Sequence, residues 1–268
     1  MKLQFGGEIM NQGTFKAEIV RAANCTHRIY DQHCHSRYEL IFVLEGSIQL
    51  NIEGEHFLLE ENSGVIIAPL KYHIVTGNND AYHRLILSFD QDFVPLQIRQ
   101  PFFDSICDYS VFSSEQVSER FRKYAAVLER TNSIYAPLLD AILTEAVYGL
   151  ALDNPARAEK TDSKRTDKLK RIISFIDNNL DKDILLKDVA NCIYMSESAV
   201  CHLFKDEMSV SLKQYILQKK MTYAKNLLNH GMSPSEVATA CGYKNYASFY
   251  KMFLKIMGRS PAKFTPDQ

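Results

Sequence analysis

The sequence predicts a two-domain α+β protein: a small β-barrel followed by helices, then an all-α region of short helix pairs joined by a long helix. Three observations carry this expectation. The chain has 268 residues, enough for one or two domains at about 150 residues each. Its apolar residues alternate with period two up to Phe89 and recur at helical spacing beyond Pro101. Its charge is also uneven: residues 164–268 hold 17 Lys and Arg against 10 Asp and Glu, while the remainder hold 14 against 22. The net charge of −1 therefore hides a C-terminal part at +7, and a basic surface gains from counterion release on a polyanion.

Composition removes several classes. With 46% hydrophobic and 24% charged residues, the chain is neither disordered nor fibrous. No apolar run approaches the roughly 18 residues of a membrane span, and no basic start leads into an apolar leader. A cytoplasmic protein without membrane partners is expected, and no cofactor. The six cysteines, Cys25, Cys34, Cys107, Cys192, Cys201 and Cys241, contain no CxxC pair, so they read as reduced, mostly buried thiols.

Residues 1–100 form the β-domain. Ile48, Leu50 and Ile52 alternate with polar residues, as do Leu85, Leu87 and Phe89. Breaks at Glu45-Gly46, Glu53-Gly54, Asn62-Ser63-Gly64, Ala68-Pro69 and Gly77-Asn78-Asn79-Asp80 fall at the spacing of short strands in a barrel or sandwich. Residues 101–152 read as a helical association segment, with helices near 115–130 and 136–152. The second carries Leu138, Leu139, Ile142, Leu143, Ala146, Val147 and Leu150 on a wide apolar face. That face requires a cover, either the protein's own barrel or a second subunit. A homodimer through Leu139, Ile142, Leu143 and Ala146 is expected. Residues 153–166 have almost no apolar content and form a linker.

Residues 167–268 are helical throughout. Leu169, Ile172, Ile173 and Ile176 mark a first helix capped by Thr166 or Asp167. A second starts near Asp183 with Leu185, Leu186, Val189 and Ala190 inward. Ser196 caps a third that buries Val200, Leu203 and Phe204. Two short helices split by a few residues make a helix-turn-helix, whose second helix enters a major groove. A near-copy follows about fifty residues later. Ser233-Pro234-Ser235-Glu236 combines a Ser cap, a first-turn Pro and a Glu three residues after the cap. That helix stops at Gly242, and Asn245 to Lys255 follows, burying Phe249, Met252 and Phe253. Between the copies, Leu212 to Asn229 reads as one rod of about 27 Å, close to the roughly 34 Å repeat of the major groove.

These residues resemble the arabinose-regulator (AraC/XylS) family of bacterial transcription factors. The similarity spans roughly 168–265 and is strongest in Ser235-Glu236-Val237-Ala238, Cys241-Gly242-Tyr243, the pair Phe249 and Phe253, and Gly258-x-Ser260-Pro261. Ser209 stands where the family usually has Gly, Lys220 where it has Arg, and Tyr243 where it has Phe. By position, the resemblance implies base contacts from Ser198, Cys201 and His202 in one unit and from Tyr246, Ala247 and Lys251 in the other. Lys can donate to guanine, His can donate or accept, and Ala or a thiol can meet a thymine methyl. Lys205, Lys244 and Lys255 are implied phosphate contacts. Double-stranded DNA is then the main partner, with RNA polymerase a second if the protein activates transcription.

In the β-domain, His33-x-His35-x-x-x-Glu39 and a later His73 resemble the two motifs of the cupin barrel. His33, His35 and Glu39 share parity, so on one regular strand they face one side. A barrel of this size encloses one modest ligand, and these four residues would line an effector pocket with hydrogen-bonding groups suited to a small molecule. A carbohydrate is one candidate class, with Tyr38 and Tyr72 nearby; Arg28, Arg37 and Arg84 leave an anion open. The rival reading is a metal-dependent cupin enzyme or metal sensor built on His33, His35, Glu39 and His73. It is disfavoured because His27 replaces the Gly that opens the first cupin motif, and Lys71 replaces the Gly of the second.

Overall fold

The computed structural model describes residues 10–11, 15–22, 34–77, 81–94, 96–104, 106, 108–113, 115–130, 141, 144–150 and 166–263. The chain divides into two compact units, the first made of Met1–Gln32, Arg37–Ile52 and His56–Asp162 and the second of His33–Ser36, Glu53–Glu55 and Ser163–Gln268.

The first unit is a pair of antiparallel sheets flanked by helices. Its strands are β1 (Met10–Asn11), β2 (Phe15–Ala22), β3 (Tyr38–Glu45), β4 (Ser47–Ile52), β5 (Glu55–Glu60), β6 (Ser63–Ile67), β7 (His73–Gly77), β8 (Tyr82–Phe89) and β9 (Tyr109–Ser113). The larger sheet has the order β1-β2-β8-β3-β6-β9, and the smaller has β5-β4-β7. The turns fall at the glycine and asparagine breaks of the sequence: Gly46 lies between β3 and β4, Gly54 between β4 and β5, and Asn62 between β5 and β6.

The larger sheet is buried on both faces. On one, Ile41, Val43, Val65 and Ile67 meet Ile48, Leu50, Ile52, Leu59 and Val75 of the smaller sheet. On the other, Leu40, Phe42, Ile66 and Leu87 pack with Phe102, Val117, Phe121 and Tyr124, which belong to α1 (Leu96–Asp104) and α2 (Glu115–Arg130). A strand covered on both sides reads as a continuous apolar run, and β3 is buried from Tyr38 to Leu44.

Two expectations for this unit are corrected. Residues beyond Pro101 are not purely helical, since β9 closes the edge of the larger sheet against β6; five residues with Tyr, Val and Phe are too short to stand out from flanking helices. Ala146, expected at a dimer interface, is fully buried with Val147 and Leu150 in the core of its own chain. The barrel's own helical layer covers that part of the face. Leu139, Ile142 and Leu143 lie outside the described residues, as does His33.

The second unit contains α3 (Asp167–Asp177), α4 (Leu186–Cys192), α5 (Glu197–Met208), α6 (Leu212–Asn229), α7 (Pro234–Ala240) and α8 (Tyr246–Met257). Thr166 caps α3, accepting from the Leu169 amide, and Leu169, Ile172, Ile173 and Ile176 are its buried residues. The helix α4 begins later than the expected Asp183, and Leu185 is 42% exposed rather than inward. No side chain caps this start, so sequence offered no marker for it. Among the described residues, no helix is long and apolar enough to cross a membrane.

Candidate functional site

The second unit holds two helix pairs of the same design. In the first, α4 leads through a turn to α5; Ser196 caps α5 by accepting from the Ala199 amide, and Val200, Phe204 and Met208 anchor it. In the second, α7 leads to α8; Asn245 caps α8 through the Ser248 amide, and Phe249 and Phe253 anchor it. The start of α7 is a reciprocal cap: the Glu236 amide donates to Ser233 Oγ, and the Ser233 amide donates to Glu236 Oε2 at 2.9 Å. Hydrogen bonds from Ser233 hold the Glu236 carboxyl below its usual pKa.

The turn between α7 and α8 depends on Gly242. Its φ is +71°, and a Cβ there would collide with the Lys182 backbone, so only glycine fits. Lys220 of α6 closes the same corner. Its ammonium donates to the carbonyl of Cys241 at 2.8 Å and to that of Lys182, and lies 5.7 Å from the Tyr243 ring centre. Burial lowers the Lys220 pKa and raises that of the Cys241 thiol to about 11.

Inward anchors of this kind leave the outer faces of α5 and α8 free. Ser198, His202 and Lys205 are exposed on α5, with Cys201 half-buried beside them. Tyr246, Ala247, Lys251 and Lys255 are exposed on α8, and Lys244 precedes them. Sequence reasoning missed Tyr194, which is 88% exposed in the turn before α5 at φ +58°, with the Arg171 guanidinium 5.7 Å from its ring centre. A tyrosine in left-handed backbone is uncommon, and no local signal marks it.

In the first unit, Glu39 and His73 meet, with His73 Nε2 3.7 Å from Glu39 Oε1. The route differs from the expected one: β3 starts at Tyr38, so His35 sits in the segment before it and does not share a regular strand with Glu39. Glu39 is placed by strand register, opposite Ile67 and Ser88. His73 opens β7 opposite Ile52. Tyr38 does not join them; it stacks on Phe89 and Phe103, with ring centres 5.9 and 4.3 Å away, in the helix-facing core.

Comparison with known proteins agrees with both halves of this geometry. Residues 16–147 match an AraC-like ligand binding domain, and residues 189–266 match a helix-turn-helix domain. The chain belongs to the AraC/XylS family. It is 26% identical over 250 residues to the uncharacterized HTH-type transcriptional regulator YdiP of Escherichia coli K12, covering 89% of this chain and 80% of that protein. It is 24% identical to the probable transcriptional regulator LumQ of Photobacterium leiognathi, over 87% of this chain and 90% of the relative. Among solved structures, ToxT from Vibrio cholerae O395 aligns over 94% of this chain and 97% of its own, with 11% identity and a TM-score of 0.43. As a family member, the chain is a DNA-binding transcriptional regulator with a ligand-binding N-terminal domain.

Proposed function

We propose that this regulator reads duplex DNA through both helix pairs at once, with α5 and α8 in adjacent major grooves. The observation that carries the reading is α6: an 18-residue helix, about 27 Å long, joining two helix pairs whose second helices are both capped by a side chain and exposed on their outer faces. Ser198, Cys201 and His202 then meet bases in one groove, and Tyr246, Ala247 and Lys251 in the next, while Lys205, Lys244 and Lys255 hold phosphates. The exposure of these residues supports the assignment, and half-buried Cys201 offers only its thiol edge.

In this reading a small effector enters the β-domain and meets Glu39 and His73. A carbohydrate stays a candidate on its hydrogen-bonding needs, but Tyr38 is spent in the core and supplies no platform for a sugar ring. The chain works in the cytoplasm as a homodimer through residues of 101–152 other than Ala146. RNA polymerase joins the partners where the protein activates.

Selection of full-length protein against random duplexes at about 150 mM salt tests the reading. Enrichment of two boxes about ten base pairs apart is expected, with Lys251→Ala weakening that site by about 1–3 kcal/mol. A single enriched box would reject simultaneous reading, and equal binding by Lys251→Ala would remove Lys251 from the base contacts.

A further inference from the structure

The turn of the first helix pair carries a more specific reading, which rests on the placement of α5 in a major groove. The two turns close alike. In the second pair the Gly242 amide donates to the Thr239 carbonyl and the Tyr243 amide to that of Ala238; in the first, the Tyr194 amide donates to the Asn191 carbonyl and the Met195 amide to that of Ala190. Each closure puts one residue in left-handed backbone, where glycine is usual. In the second pair that residue is Gly242, but in the first it is Tyr194, at φ +58°. A side chain there costs backbone energy, and burial does not offset it, because Tyr194 is 88% exposed. A strained residue that the fold does not use for packing points to a contact made outside the chain.

Arg171 supplies the other half of that contact. From the exposed side of α3 its Nη2 donates to the Cys192 carbonyl at the end of α4, and its guanidinium lies 5.7 Å from the centre of the Tyr194 ring. A guanidinium has five N–H donors in a fixed fork, so the bond to Cys192 orients the group and leaves donors for an acceptor in solvent. The phenol hydroxyl adds one more. The second turn carries its own cation, Lys244, whereas Ile193, Tyr194 and Met195 include none; Arg171, lent by α3, takes that place.

We infer that Arg171 and Tyr194 together bind one phosphate of the DNA backbone at the edge of the groove that α5 enters. Ser196, two residues after Tyr194, caps α5. In a helix-turn-helix the first residues of the second helix reach the bases, which puts the turn just before them at the rim where the phosphates run. A diester phosphate offers two charged oxygens, one for the guanidinium and one for the phenol, and charge-assisted bonds of this kind are roughly twice as strong as neutral ones. The contact fixes the register of α5 and carries no sequence information.

The test measures binding of full-length protein to the selected duplex across a salt series, with a melting temperature recorded for each variant. Arg171→Ala is expected to make the slope of log affinity against log salt shallower by about 0.9, without changing the order of preference among duplexes. Tyr194→Phe keeps the ring beside the guanidinium and is expected to weaken binding about tenfold at nearly unchanged slope, since a neutral donor releases no counterion. Tyr194→Gly removes the backbone cost and is expected to melt no lower than wild type while binding at least as weakly as Tyr194→Phe. An unchanged slope for Arg171→Ala, or wild-type binding by Tyr194→Phe and Tyr194→Gly, overturns the proposal; variants that bind DNA normally but lose transcription with purified RNA polymerase would give the turn to the polymerase instead. His202→Ala keeps the two readings apart. A first box whose preferred bases change with His202→Ala, while Arg171→Ala and Tyr194→Phe bind like wild type, removes the phosphate site alone. A selection that yields no first box removes the groove placement of α5 and the phosphate site with it.

Discussion

Lys220 is a buried cation satisfied by backbone, not by a carboxylate. Its ammonium ties α6 to the carbonyl that ends α7 and to the loop at Lys182, the same backbone against which Gly242 packs. Replacing it by methionine keeps the aliphatic stem but orphans the buried Cys241 carbonyl and frees the half-buried one of Lys182, and leaving a buried acceptor unsatisfied costs about 1–3 kcal/mol. Lys220→Met is therefore expected to lower stability by about that much in urea unfolding, with duplex binding restored at low temperature where the variant is folded. Loss of binding without loss of stability would move Lys220 to the DNA surface. At this scale the sequence was informative about residue type and silent about partners. Lys220 stood out as the replacement of a usual arginine, yet its acceptors lie 38 and 21 residues away. His73 was legible as a polar candidate of the β-domain, while the Lys71–Asp108 ion pair beside it joins positions too distant for any local pattern. Tyr38 was open between pocket and structural roles because strand parity alone does not say which face meets the helices.

The termini of elements carry the next level of specification, and Ser209 is the weak one. It ends α5 in left-handed backbone at φ +57°, whereas the corresponding residue after α8 is Gly258 at φ +69°. A residue with a Cβ pays roughly 1–2 kcal/mol in that region, against about 0.4–1 kcal/mol saved in the unfolded chain relative to glycine. Ser209→Gly should thus raise stability by about 0.5–1 kcal/mol, seen as a higher melting temperature with DNA affinity unchanged; a fall in stability would mean that the serine side chain holds the turn. Elements with strong terminal signals were those legible in advance. The caps of α3 and α5, and the reciprocal cap and proline of α7, appear where Thr166, Ser196 and Ser233 put them. Where that chemistry is missing the reading slipped: α4 has no side-chain cap and was begun too early, and β9 was absorbed into its helical neighbours. Strand β3 has no alternation because both its faces are buried, a pattern that only the assembled layers explain.

For the whole molecule, the change from period two to period 3.6 and the opposed charges of the two parts made the architecture legible before any contact was known. The interior of the first unit was less so, because which apolar face a helix covers is decided by layers; Ala146 fits a partner's surface as well as it fits its own core until β3, α2 and residues 144–150 are stacked. The charge division does set a quantitative expectation. A part carrying +7 attached to one carrying −8 should bind DNA with a strength governed by local phosphate contacts, since charges beyond a Debye length of about 8 Å are screened at physiological salt. Each neutralised phosphate contributes about −0.9 to the slope of log affinity against log salt. Lys205, Lys244 and Lys255 alone then give a slope of about −2.7, and any further basic contact steepens it. Lys255→Ala should make the slope shallower by about 0.9 while leaving the order of preference among duplexes unchanged, because a phosphate contact positions without specifying. Titration of the selected duplex across a salt series, with wild type and Lys255→Ala side by side, reads both quantities. An unchanged slope would take Lys255 off the backbone, and a changed preference at constant slope would make it a reader of bases, extending the α8 contact surface by one turn beyond Lys251.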